Sequence, residues 1–164
     1  MLAQAKNDFP VCIVHPDMRN TEASCTYSFD HSDYANKQCP HGVMEGQKYC
    51  IFHAPVDDKI DEDVKDELLQ KVCRSDGKSN EFIEAKFGDL DLTCAQIESD
   101  DNSPVNLEAS HIKGDLTIKS GIVDNPLLLS RIQVDGKTTF QGTDFNQVVE
   151  SYNSHYKGGF FSKC

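Results

Sequence analysis

Apolar residues recur in the second half of this 164-residue chain at a spacing that fits neither a helix nor an ordinary strand. They follow a five-residue grid, whose members we call the centre positions, and only Asn102 interrupts it. The first centres are Phe82, Phe87, Leu92, Ile97, Leu107 and Ile112. An internal repeat of this kind constrains the fold strongly, because each unit must bury its apolar face against the next copy.

From residue 107 onward the spacing between successive centres alternates between five and six residues. Every second centre is therefore eleven residues further along the chain, and the centres form two interleaved apolar series. One series is Leu107, Ile118, Leu129 and Phe140, and the other is Ile112, Val123, Val134 and Phe145. Two residues before the centres, small residues such as Ala85 alternate with large ones such as Leu90 on successive faces. Since strand side chains point alternately to the two sides, this pattern predicts a square coil with two inward side chains per face. Faces of five or six residues give coils of about 20 to 22 residues, so the repeat over 80–147 predicts an all-β solenoid of about three coils.

Two features interrupt the repeat. Gly88, Gly114 and Gly136 follow centres by one or two residues, where we expect corners that use the unusual φ angles glycine tolerates. The segment 99–104 replaces one apolar face with turn-forming residues, which predicts an outward loop that keeps the register. We favour a solvated turn over a binding loop for this segment.

The repeat units resemble the pentapeptide-repeat family, whose units read roughly Ala-(Asp/Asn)-Leu-x-x. The fit is carried by 85–89 (AKFGD) and 95–99 (AQIES), with the Asp or Asn present instead in 90–92 (LDL) and 105–107 (VNL). The five-six alternation is similar to longer variants found in archaea and some bacteria, where the repeats follow a Cys-rich segment and a motif like 49–53 (YCIFH). The resemblance covers roughly residues 25–147 and implies a right-handed quadrilateral β-helix. It implies little about activity, because fold does not fix function.

An amphipathic capping helix is predicted over 55–77. Pro55 and Asp57 supply start signals, the first turns are acidic, and 75–77 (SDG) ends the segment. The apolar stripe on this helix is Ile60, Val64, Leu68 and Val72, joined by Leu69. We interpret this stripe as a packing face.

The preceding segment, 1–54, is irregular and holds four of the seven cysteines and four of the six histidines. Cys25, Cys39, Cys50 and His53 are the candidate ligands of a structural zinc ion, because thiolate and imidazole ligands favour zinc and Cys₃His is a composition it accepts. Cys50 and His53 are separated by two residues and can clasp one ion from a tight turn. A segment this short and polar has too few apolar residues for a core of its own. A bound metal ion would supply the folding free energy that such a core cannot.

Other ligand sets stay open at this stage, since the gaps of 13, 10 and 2 residues match no standard motif. Cys12 and His15 form a second clasp that can replace Cys25 and Cys39, and His31 and His41 are further candidates. Inert cysteines are the competing interpretation for the whole cluster. For Cys73 and Cys94 we favour packed or exposed bystanders over ligands.

Beyond the repeat, Val148, Val149, Tyr152 and Tyr156 have helical spacing that ends at the glycine pair 158–159. We interpret 148–164 as a C-terminal cap, since a solenoid must cover its last apolar layer, or as a truncated repeat.

The composition narrows the functional classes. The net charge of −11 divides into −6 over residues 1–77 (8 basic, 14 acidic) and −5 over 78–164 (8 basic, 13 acidic), so no clustered basic surface for nucleic acid is expected. No membrane span and no export signal are visible, which favours a cytoplasmic protein without a disulfide framework.

We predict a non-enzymatic scaffold that offers a surface to an unidentified protein partner. No catalytic residue and no organic cofactor is predicted, since no phosphate loop, nucleophile elbow or dinucleotide fingerprint is present. One alternative is an acidic DNA mimic that binds or protects a topoisomerase, and another is a metal-dependent enzyme. The sequence leaves the oligomeric state open.

Overall fold

The computed structural model describes residues 23–74, 80–99 and 101–163. Two single-turn 3₁₀ helices, Ser32–Tyr34 and Val56–Asp58, precede one α-helix, α1 (Asp61–Arg74). Short strands then follow one another to the end of the described chain. They are β1 (Lys86–Phe87), β2 (Leu90–Asp91), β3 (Gln96–Ile97), β4 (Val105–Asn106), β5 (His111–Ile112), β6 (Leu116–Lys119), β7 (Ile122–Val123), β8 (Leu127–Leu128), β9 (Gln133–Val134), β10 (Thr138–Gln141), β11 (Asp144–Phe145), β12 (Val149–Glu150), β13 (His155–Tyr156) and β14 (Phe160–Lys163).

The strands stack into four parallel sheets, and every fourth strand returns to the same sheet. The sheet orders are β1-β5-β9-β13, β14-β10-β6-β2, β11-β7-β3 and β12-β8-β4. Four sheets and about three coils confirm the predicted quadrilateral β-solenoid. Ile112 pairs with Val134 one coil later, which is 22 residues along the chain. The sequence repeat of eleven is therefore half a coil.

The inward rows also match the sequence pattern. Small side chains, such as Ala85 and Ser110, stack in one row, and large ones, such as Leu90 and Leu116, stack in the next. All four residues are at most 1% exposed. Further along the same row the large Ile132 follows Ser110 and is also fully buried, so the alternation is clearest in the first two levels.

The first coil is longer than the others because it contains the loop 98–104. Seven residues separate Ile97 from Val105, whereas three separate Val123 from Leu127 in the next coil. The strands on both sides keep their pairing, as predicted. Within the loop the Asp101 carboxylate accepts hydrogen bonds from the Ser103 amide (3.0 Å) and the Ser103 hydroxyl (2.6 Å), so the turn satisfies its own polar groups.

The predicted reason for glycine at 88, 114 and 136 is wrong, because none of the three has a positive φ. The left-handed corners are instead occupied by other residues, including Glu84, Ala109 and Arg131, which follow one another at successive levels of one corner. At the glycine corner the constraint is space. A Cβ at Gly136 would collide with the carboxylate of Asp115 and with the backbone oxygen of Gly114.

Carboxylates of successive coils line this glycine corner in a ladder. Asp61, at the start of α1, accepts a hydrogen bond from the Asp89 amide (2.9 Å). Asp89 accepts one from the Asp115 amide (2.7 Å), and Asp115 accepts one from the Lys137 amide (2.8 Å). Each carboxylate needs the volume that a Cβ on the next glycine would occupy.

We expect Gly136→Ala to lower the free energy of unfolding by about 2 kcal/mol, because overpacking against a fixed backbone carbonyl cannot be relieved by a rotamer change. Urea denaturation followed by circular dichroism measures this loss. The matched control is Gly46→Ala, where φ is +70° but no atom lies within 4 Å of the new Cβ. The left-handed backbone alone costs about 1 kcal/mol there, so equal losses at the two sites would contradict the steric explanation.

The predicted helical character of 148–156 is wrong. Val149 and Glu150 form β12 and pair with β8, and β13 and β14 continue the sheets of β9 and β10. The four-residue spacing of the apolar residues there comes from a further partial coil. Val149 occupies an inward position but is 37% exposed, since no later strand in the described part of the chain covers it.

The other end of the solenoid is covered by α1 and by the segment before it. The helix begins at Asp61, later than predicted, and the 3₁₀ turn Val56–Asp58 follows Pro55 instead. Ile60 therefore lies outside the helix and is 65% exposed, whereas Val64, Leu68 and Val72 are buried and belong to the core. Among the described residues, no helix has both the length and the apolar character of a membrane span.

Candidate metal centre

The four predicted ligands come from three short pieces of irregular chain that lie side by side. An antiparallel bridge joins Ser24 to Gly42, and the Cys25 amide donates to the His41 oxygen (3.1 Å). The third piece is a tight turn, in which the amides of His53 and Ala54 both donate to the Cys50 oxygen (3.1 and 3.0 Å). Cys50 and His53 therefore face the same point from one turn, as the two-residue spacing predicts.

The structure brings Cys25, Cys39, Cys50 and His53 together, and all four are buried. Their ligand atoms lie within 4.8 Å of one another. Cys50 is central, with its Sγ 3.6 Å from the Sγ of Cys39 and 3.2 Å from the Nδ1 of His53. The Cys25 Sγ lies 3.7 Å from the same Nδ1.

These distances match the edges of a metal-centred tetrahedron. A zinc–sulfur bond of about 2.3 Å places two tetrahedral sulfur ligands about 3.8 Å apart. The Cys39–Cys50 separation of 3.6 Å is close to that value and far beyond the ~2.05 Å of a disulfide bond. The arrangement of the four residues is therefore compatible with one metal ion between them.

The His53 ring is held in an orientation that suits a ligand. Its Nε2–H donates to the backbone oxygen of Ile83 (2.9 Å), and Nδ1 is the nitrogen turned toward the cysteines. Tyr27 stacks on the ring with a centroid distance of 4.1 Å and an interplanar angle of 4°. A carbonyl acceptor behind a ligating imidazole fixes the tautomer and is a common feature of metal sites.

Two further contacts support the cysteines and the turn. The Cys50 amide donates to the Cys25 Sγ (3.3 Å), which favours a thiolate at that sulfur. The Lys59 ammonium donates to the backbone oxygens of Ile51 (2.7 Å), Phe52 (3.3 Å) and Lys86, joining the turn to β1. Burial lowers the pKa of Lys59 to about 8.

The residues of the cluster shift one another's pKa values. Hydrogen bonds from Cys39 and Cys50 lower the pKa of the Cys25 thiol, while the hydrogen bond to Cys25 raises the pKa of Cys39. Burial lowers the pKa of His53, but the hydrogen bonds to Cys25 and Cys50 outweigh it and raise the pKa to about 9. The cluster thus favours a thiolate at Cys25 and disfavours a second one at Cys39, a cost that a bound metal cation would remove.

The alternative ligands fall into two groups. His31 is part-exposed and accepts a hydrogen bond from the Asp33 amide at the start of a 3₁₀ turn. His41 is buried, but its Nε2 lies 2.8 Å from the Glu81 oxygen and its ring stacks on Phe82, so it serves as a packing residue. Burial lowers its pKa to about 4. Cys12 and His15 lie outside the described residues.

The remaining described cysteines do not join the cluster. Cys94 is exposed at a left-handed corner. Cys73 is disulfide-bonded, which departs from the expectation that the chain carries no disulfide.

Sequence reasoning did not find the residues that support the ligands. Tyr27, Lys59 and Ile83 contact the cluster or its turn through groups contributed by three separate segments, so no local spacing marks them. The only available signal was Lys59 itself, a cation directly after an acidic 3₁₀ turn, and that pattern is too common to indicate a site. Comparisons with models of protein families, with curated proteins and with solved structures found no match to this chain.

Proposed function

We propose that this protein is a non-enzymatic scaffold, in which a structural zinc ion fastens the N-terminal segment onto a short β-solenoid that presents its outer faces to a protein partner. The observation that carries the proposal is the buried cluster of Cys25, Cys39, Cys50 and His53 at the covered end of the solenoid. Over its described residues, 23–60, the segment that supplies these ligands contains only isolated bridges and 3₁₀ turns, so it depends on crosslinks for its shape.

Zinc is the metal that this ligand set favours. Three thiolates and one imidazole are soft and borderline ligands, and they disfavour magnesium and calcium, which prefer oxygen. Tetrahedral Cys₃His sites are characteristic of structural zinc. Copper(I) also accepts thiolates, but the single imidazole, oriented by Ile83, fits the zinc coordination better.

A structural role is favoured over a catalytic one by the ligand number. Catalytic zinc sites keep a coordination position for water or substrate, whereas four protein ligands fill a tetrahedral shell. The four residues are at most 6% exposed, so a substrate has no path to the ion. Among the described residues, the hydrogen bonds of the four side chains go to one another and to backbone groups and not to a carboxylate that could act as a base.

The charge distribution favours a protein partner over a role as a DNA mimic. A DNA-like surface needs a continuous negative stripe along a long rod. The described part of the solenoid has about three coils, and Lys113, Lys157 and His111 are exposed along the β1-β5-β9-β13 sheet. The acidic side chains Glu98 and Asp144 lie along another sheet. The exposed charges therefore differ from one face of the solenoid to another.

Membership of the pentapeptide-repeat family is part of the same proposal. It is supported by the four-sided coil, by the alternation of small and large inward rows, and by centres such as Phe87 and Ile112 that are at most 1% exposed. Scaffolding and protein binding are the roles that such a rigid, regular surface serves best.

We expect purified protein to contain about one equivalent of zinc per chain, since one closed shell holds one ion. Elemental analysis after gel filtration measures the ratio, and substitution with cobalt gives an independent absorption signature of tetrahedral thiolate ligands. The Cys25→Ser variant should lose most of the metal, and the matched control Cys94→Ser, which changes an exposed cysteine outside the cluster, should keep it. Well under one equivalent in the wild type, with Cys25→Ser leaving stability unchanged, would refute the site.

A further inference from the structure

The chain between ligands Cys25 and Cys39 forms a loop that runs along the side of the solenoid, and we call residues 26–38 the strap. Near its start, Tyr27 stacks on His53 and its hydroxyl donates to Glu84 in the first coil (3.3 Å). The amides of Asp30 and His31 both donate to the Glu84 carboxylate (2.8 and 2.7 Å). Glu84 is only 8% exposed, so this end of the strap is firmly seated beside the metal centre.

The middle of the strap reaches two further coils. Tyr34, in the 3₁₀ turn Ser32–Tyr34, is 6% exposed and its hydroxyl donates to Glu108 in the second coil (2.6 Å). Arg131, one coil further along, donates to the same Tyr34 hydroxyl and pairs with Asp33 (3.6 Å). The strap then returns toward Cys39, and on the way Lys37 pairs with Glu81 of the first coil (3.2 Å).

The strap is thus flanked on both sides by ligands of one centre, Cys25 and Cys39. Polar contacts of Asp33 and Tyr34 hold its tip against the solenoid. The Arg131–Asp33 and Lys37–Glu81 pairs are partly exposed, and such ion pairs contribute little by themselves. Closing a loop of this length in advance removes much of the entropy that docking would otherwise cost. The metal supplies that closure through Cys25 and Cys39 at the same time.

We propose that metal occupancy controls the docking of the strap, so that the corner formed by Glu84, Glu108 and Arg131 is covered in the metal-bound protein and uncovered in the metal-free protein. This inference rests on the proposed zinc site. It makes the side of the solenoid a surface whose access depends on zinc, although the coils themselves hold together through their own strand pairing.

The first test is hydrogen exchange on the full chain, with zinc bound and after removal by a chelator. We expect the amides of Asp30, His31 and Lys37, which donate within the strap and to Glu84, to exchange at least about tenfold faster without zinc. The reference amides are those of Gln133 and Asp135, which pair between coils and should keep their rates. Unchanged strap rates, or equal acceleration of the reference amides, would overturn the inference.

The second test uses reciprocity, because two linked equilibria must affect each other by the same factor. Arg131 belongs to a distant coil and is not a ligand, yet Arg131→Ala should weaken zinc binding roughly tenfold by undocking the tip of the strap. Competition with a chromophoric chelator measures the affinity. The matched control is Lys157→Ala, which removes a cation paired with Asp135 away from the strap and should leave zinc affinity unchanged.

The two proposals fail in distinguishable ways. If wild-type protein binds no zinc, the proposed function and the strap mechanism both fall. If it binds one equivalent but Arg131→Ala keeps the wild-type affinity, the site stands and the control of the strap is refuted.

Discussion

Cys50→Ser is expected to destabilise the protein more than any other single change at the metal centre, by on the order of 4 kcal/mol. Zinc supplies about 10–16 kcal/mol to the folding of small zinc-finger peptides, and the loss of one of four ligands forfeits a substantial part of such a contribution. Cys50 is the ligand to choose because its sulfur contacts both Cys39 and His53 and its amide donates to Cys25. A serine hydroxyl there is a poor zinc ligand and leaves the other two thiols without their common partner.

The measurement is urea denaturation with zinc in excess, followed by circular dichroism, with Cys94→Ser as the control. Cys94 is exposed and contacts no ligand, so its substitution should change stability by less than about 0.5 kcal/mol. Chelation of the wild-type protein should reproduce the loss seen in Cys50→Ser, and chelation of that variant should add little. Equal stability of the two variants would show that the cluster binds no metal of structural consequence.

The fold was predictable because the repeat is a property of the sequence itself. Centres such as Phe87 and Ile118 recur in register, and they pair with Ile112 and Phe140 one coil away. Strand pairing in a solenoid therefore follows directly from the spacing of apolar residues. The loop 98–104 was recognisable for the same reason, since it interrupts an otherwise regular grid.

The last partial coil was misread as a helix because its apolar residues happen to lie three or four apart. Tyr152 and Tyr156 have helical spacing, but Tyr156 pairs above Val134 and Tyr152 is 67% exposed at the edge of the solenoid. Within the described residues no later strand lies over β12, and its inward Val149 is only partly buried. The periodicity then loses the five-six signature that identified the earlier coils.

At the site, the grouping of the four candidate ligands was predictable and their surroundings were not. Cys50 and His53 share one turn, so their spacing carried the information, and residue chemistry indicated the metal. Glu84 and Arg131 act on the strap only because the fold carries residues 26–38 alongside three coils. The requirement for glycine at 136 shows the same limit, because it comes from the Asp115 carboxylate and the Gly114 backbone oxygen of the previous coil and not from the φ angle of Gly136 itself.

Phe82→Ala is expected to lower the free energy of unfolding by about 4 kcal/mol, within the range of Phe→Ala changes in fully buried positions. Phe82 is 0% exposed and lies where the N-terminal segment meets the first coil. His41 stacks on its ring at 5.2 Å and Phe52 meets it edge-on at 4.8 Å. Removal of the Phe82 ring therefore opens a cavity at the contact between the N-terminal segment and the first coil.

The matched control is Phe161→Ala, since Phe161 is 54% exposed on the terminal partial coil and its substitution should cost less than about 1 kcal/mol.

The zinc affinity of Phe82→Ala shows whether the cavity also disturbs the metal centre. Because Phe52 lies two residues from Cys50 and next to His53, a cavity beneath it loosens the turn that supplies two ligands. Phe82→Ala should therefore lower zinc affinity along with stability, and a destabilised variant that retains full affinity would show that the metal centre folds independently of the solenoid it covers.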